Sequence, residues 1–110
     1  KYCGQTARRI GLSCSIRPED IQTSSEYIGE GYGIPSPQGI EALKTLARTE
    51  GIFLDPIYSS KAMACLLDHI QRGLLGKKDV VLFLHTGGTP ALFAYKDYLV
   101  SEELKRQIVP

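Results

Sequence analysis

Val80-Val81-Leu82-Phe83-Leu84-His85-Thr86-Gly87-Gly88-Thr89-Pro90 is the stretch that decides how this chain is read. An apolar run, residues 80–84, passes directly into a polar turn with two glycines. Pro90 then opens an amphipathic segment over 91–98. The pattern predicts a buried strand that delivers a loop to the carboxyl edge of a sheet, followed by a helix. In open α/β sheets that edge is where ligands bind.

Working outward, the same alternation recurs upstream. Ile40, Leu43, Leu46 and Ala47 stand at helical spacing, so a helix is expected over 38–50, stopped by Gly51. Ile52-Phe53-Leu54 reads as a short strand broken by Asp55-Pro56. Ser59 or Ser60 is then placed to cap a helix whose buried stripe is Met63, Leu66, Leu67 and Ile70, with Gly73 ending it. Residues 1–12 read as a helix ending near Gly11, and 17–25 as a connector or short helix. Residues 26–39 hold Gly29, Gly31, Gly33, Pro35, Pro37 and Gly39, too many breakers for a regular helix. Strands alternating with helices imply an α/β fold with parallel strands and flanking helices. Only two strands are evident, and the opening residues read as a helix already under way. Residues 1–110 are therefore expected to be the carboxyl-terminal part of a longer chain.

Composition narrows the function. A net charge of +1 without a long basic block argues against nucleic acid as a partner. The apolar run 80–84 is far too short to cross a bilayer, so no membrane partner is expected. Cys3, Cys14 and Cys65 are odd in number and lack the Cys/His spacing of a metal site. Cys65 reads as a small core residue. A soluble protein of a reducing compartment, cytoplasmic or organellar, fits these features best.

Three loops hold the candidate chemistry. Tyr32 lies between Gly31 and Gly33, where the backbone can approach a ligand or the ring can pack locally. Tyr58 and Ser59 lie at a helix start that favours an anion or another acceptor, or is simply capped. Lys61 reads either as a Schiff-base lysine or as a solvated one. His85 reads as a satisfied structural histidine or a catalytic one, and His69 as a half-exposed residue without a role. Two consecutive strands should bring Tyr58-Ser59 and His85-Thr86-Gly87-Gly88 together at one sheet edge. A slot lined by Tyr, Ser, Thr and Gly suits a planar aromatic cofactor.

Several motifs recur in register with a known family. They are Gly31-Tyr32-Gly33-Ile34-Pro35, Glu41-Ala42, Ala47-Arg48-Thr49-Glu50-Gly51-Ile52, Leu54-Asp55-Pro56-Ile57-Tyr58-Ser59-Ser60-Lys61-Ala62-Met63, and His85-Thr86-Gly87-Gly88-Thr89-Pro90-Ala91-Leu92-Phe93-Ala94-Tyr95. Over residues 27–98 the chain resembles the D-cysteine desulfhydrase and 1-aminocyclopropane-1-carboxylate deaminase family. That family belongs to the tryptophan-synthase-β-like enzymes of pyridoxal 5′-phosphate fold type II.

The resemblance implies a partial type II large domain and pyridoxal phosphate as cofactor. It implies Tyr32 and Tyr58 as the active-site tyrosines, Ser59 as the contact to the pyridine nitrogen, and Thr86 with Gly87 beside the ring. It implies a small amino-acid substrate, D-cysteine or a relative, and is compatible with a homodimer. The deaminases typically carry Glu where Ser59 stands and Leu where Thr86 stands, so the resemblance points to the desulfhydrase branch. A carboxylate would hold a proton on the ring nitrogen, whereas a hydroxyl only hydrogen-bonds it. The family's Schiff-base lysine and phosphate loop do not match any position of this sequence, and Lys61 matches a different family lysine. The segment alone is therefore expected to be inactive. A non-catalytic paralogue with a binding or structural role is the alternative of a different class.

Overall fold

The computed structural model describes residues 2–100. Its helices are α1 (Tyr2–Arg9), α2 (Pro37–Glu50), α3 (Ser59–Gln71), α4 (Ala91–Ala94) and α5 (Lys96–Leu99), with a 3-10 turn at Pro18–Asp20. α2 and α3 pack on each other. Ala42 and Leu43 from α2, Met63 and Ala64 from α3, and Leu54 between them form the buried core. Phe83, Leu92 and Leu99 close over it from the C-terminal side. Residues 8–26 are exposed throughout. The radius of gyration is 17.5 Å, against about 13 Å for a compact domain of this size. The core is thus built by residues 27–99, and the N-terminal helix adds little to it.

The helix boundaries have local causes. Ser36 caps α2 by accepting from the Gly39 N–H at 3.1 Å, and Pro37 fills the first helical position. The expected loop over 26–39 therefore ends earlier: Pro37 and Gly39 lie in the first turn of α2, where a missing N–H costs nothing. Gly51 ends that helix in the left-handed conformation, φ 68°. The amphipathic segment expected over 91–98 is two short helices broken at Tyr95, whose hydroxyl donates to the Gly33 carbonyl at 3.0 Å.

The expected parallel strands need correction. Among the described residues no strand forms, and 52–54 and 80–84 share no backbone ladder. The physical reason lies at Phe53. Its carbonyl accepts from the His85 ring and from the Thr89 hydroxyl, so side chains rather than a neighbouring backbone satisfy it. Alternation along 80–84 is nevertheless period two: Val80, Leu82 and Leu84 are 99%, 91% and 76% exposed, while Phe83 turns to the core. Apolar residues on both sides of such a segment suit a parallel strand covered on both faces. The described residues cover one face only. No helix among them is long and apolar enough to cross a membrane.

Candidate functional site

The site is organised by a residue the sequence reading passed over. Asp55 is 1% exposed. Its carboxylate accepts the N–H groups of Ile57 at 2.8 Å, Tyr58 at 2.7 Å and Ser59 at 2.7 Å. It also accepts the Ser59 hydroxyl at 2.5 Å, and Ser59 Oγ in turn accepts the Asp55 N–H at 2.9 Å. Asp55 thus takes up the first N–H of α3 from the preceding turn, while Tyr58 stands at the N-cap position without a side-chain cap bond and neither Ser59 nor Ser60 caps the helix. Ser60 is buried and its hydroxyl caps nothing. Burial works to raise the Asp55 pKa. The Ser59 hydroxyl and the three N–H groups outweigh it and hold the carboxyl below its ordinary value.

The loop after residue 84 docks on this turn. His85 Nδ1 accepts the Gly87 N–H at 3.0 Å, which leaves Nε2 as the protonated nitrogen facing the Phe53 carbonyl at 2.9 Å. His85 is therefore a clasp, with both ring nitrogens engaged. Gly88 has φ 89°, and a Cβ built on it would stand 2.9 Å from the Asp55 Cβ. Only glycine allows this approach. The two loops expected to be neighbours meet through Asp55.

The glycine-rich segment meets the same turn from the other side. The Tyr58 hydroxyl donates to the Tyr32 hydroxyl at 2.7 Å, with ring centroids 6.1 Å apart. This bond, ahead of desolvation, raises the Tyr58 pKa, because an ionised phenol could not donate it. Lys61 donates to the carbonyls of Ile28 at 2.6 Å and Gly31 at 3.4 Å. Its ammonium is a clamp on the segment that bears Tyr32, and Tyr95 holds the far end at Gly33. Substituting Lys61→Met should cost about 1–2 kcal/mol. Limited proteolysis should then cut 28–33 faster, and ultraviolet titration should show Tyr58 ionising closer to an ordinary tyrosine. An unchanged Tyr58 titration would mean that the loop holds Tyr32 without the clamp.

The two tyrosines and Lys61 line a cavity of about 520 Å³ with Tyr27, Ile57 and Cys65. Cys65 is half-buried there, not a core residue as its helix position suggested. Thr86 is exposed and Gly87 half-buried on the docked loop. Tyr32 and Tyr58 are 88% and 57% exposed, so both phenols are available to a ligand. Ser59 is only 3% exposed and its proton is committed to Asp55. Residues the sequence reading missed are Asp55, Lys61 as a clamp, and Tyr95. Among the described residues no cluster is suited to a metal ion.

Two phenols, a helix start and a close-approach glycine loop thus meet around one buried carboxylate. The family model of pyridoxal-phosphate dependent enzymes matches residues 3–87. The chain belongs to that family, whose cofactor is pyridoxal phosphate and whose fold is the tryptophan-synthase-β-like type II fold. The residues fit the cofactor in kind: nothing lies within 4 Å of a Cβ built on Gly87, so the backbone there is open to the face of a planar ring.

Proposed function

We propose that the chain is part of a pyridoxal-phosphate-dependent lyase of the D-cysteine desulfhydrase type. The reaction joins D-cysteine and water to give pyruvate, sulfide and ammonia. The observation that carries the reading is the Tyr58–Tyr32 hydroxyl pair, exposed over a cavity and rooted in the same turn as Ser59. Ser59 and Thr86, which stand where the deaminases typically carry Glu and Leu, support the desulfhydrase branch over the deaminase.

The cofactor, when bound, supplies the electron sink that stabilises negative charge at the substrate α-carbon. Thr86 and Gly87 would hold one face of it. Ser59 would stand at the ring nitrogen. In the observed rotamer its hydroxyl can only accept a further bond; turned from Asp55 it can donate. The bond that Tyr58 donates to Tyr32 holds the Tyr58 proton in place, and as the acceptor of that bond Tyr32 has its O–H proton free to point outward. That proton is placed to orient a substrate carboxylate or to meet the departing sulfur.

The test is product identity. The full-length protein, saturated with pyridoxal phosphate, is incubated separately with D-cysteine, L-cysteine and 1-aminocyclopropane-1-carboxylate. Sulfide and pyruvate should form from D-cysteine, with little from the L-enantiomer. Formation of 2-oxobutanoate from the cyclopropane substrate in their place would assign the deaminase, and no product from any substrate would favour a binding role.

A further inference from the structure

We infer that Cys65 is a site of oxidation by small hydroperoxides, with His69 receiving the thiol proton. The inference does not depend on the cofactor reading. Three observations meet at this thiol. Cys65 is half-buried on α3 and opens into the cavity that also holds Tyr32, Tyr58 and Lys61. Its Sγ lies 3.7 Å from His69 Nε2, one turn further along the helix. The His69 ring is itself held in place, with Tyr27 edge-on at 6.2 Å and the Tyr27 hydroxyl anchored on Asp68 at 2.5 Å. A nucleophile, a base within reach of its proton, and a fixed base orientation are the parts that activation of a thiol needs.

The other thiols lack this arrangement. Cys3 and Cys14 are exposed. The only other histidine, His85, has both ring nitrogens engaged by Phe53 and Gly87. Reactivity set by exposure alone would therefore rank Cys65 last, and reactivity set by the base ranks it first.

The Cys65 sulfur attacks one peroxide oxygen as its proton passes to His69 Nε2. An S–O bond forms and the O–O bond breaks. Sulfur is oxidised by two electrons to a sulfenic acid, the peroxide is reduced, and the departing hydroxide takes the proton and leaves as water. The added oxygen would stand in the cavity that Cys65 lines.

The test uses the full chain, hydrogen peroxide and dimedone, which traps sulfenic acids, with peptide mass spectrometry to place the adducts. In the wild-type chain, Cys65 should be labelled faster than Cys3 and Cys14. In His69→Gln the Cys65 rate should fall about tenfold while Cys3 and Cys14 keep theirs. Labelling of Cys65 no faster than the two exposed thiols would overturn the proposal, as would an unchanged Cys65 rate in a folded His69→Gln chain. The wild-type comparison decides the matter by itself if the variant does not fold.

Discussion

Asp55→Ala is expected to cost about 4 kcal/mol of stability, because it strands the Ile57, Tyr58 and Ser59 N–H groups and the Ser59 hydroxyl beside a buried void. For a chain of this size such a loss approaches the whole stability of a marginal fold. Asp55→Asn keeps one acceptor oxygen and should lose roughly half as much. The two are compared by urea unfolding followed by circular dichroism. The same residue fixes a pH dependence. Its native pKa is lowered relative to the unfolded chain. Its contribution is therefore present above the unfolded value of about 3.9 and is lost as pH falls through the native value. The gap in stability between wild type and Asp55→Asn should accordingly be largest near neutrality and shrink in acid. A gap independent of pH would mean that the carboxylate charge does not hold the turn.

Gly88→Ala should cost about 3 kcal/mol, from two sources that a neighbouring glycine separates. Gly88 and Gly87 both have positive φ, 89° and 96°. An alanine at either suffers backbone strain. At Gly87 nothing lies within 4 Å of the added methyl, whereas at Gly88 it meets the Asp55 side chain at 2.9 Å. Asp55 is buried and bonded from several directions, so it cannot yield. Gly88→Ala should therefore destabilise more than Gly87→Ala in parallel thermal melts. In the full-length protein it should also weaken retention of pyridoxal phosphate, since the 85–89 loop must lift from the turn to relieve the contact. Equal losses at the two positions would show that the loop does not rest on Asp55.

Much of the helical frame was legible in the sequence. α2 and α3 follow from apolar periodicity and from Gly51, because both helices bury one stripe against Leu54. The start of α2 carried its signature in Ser36-Pro37, which the abundance of glycine and proline upstream obscured. The strands were legible as apolar segments but not as a ladder, since a ladder depends on which backbone lies alongside. The capping of α3 was assigned to the serines because they adjoin the helix. Asp55 outcompetes them because a buried carboxylate beside a proline turn accepts several donors at once. Tyr32 and Tyr58 could be nominated from their glycine and helix-start settings. Their hydroxyl contact could not, for it joins positions 26 residues apart. Lys61 was misjudged for the same reason: its carbonyl partners lie in a distant loop. Cys65 and His69 become a pair only once the phase of α3 is known.

The central claim is that the Tyr58–Tyr32 pair faces the substrate, and kcat/KM for D-cysteine in full-length Tyr58→Phe tests it most directly. Phenylalanine keeps the ring and removes only the hydroxyl that donates to Tyr32. The account predicts a fall of about 10²-fold, with the cofactor's visible absorption retained. A kcat/KM within about twofold of wild type would contradict it, since a general acid–base or orienting contact contributes far more than that.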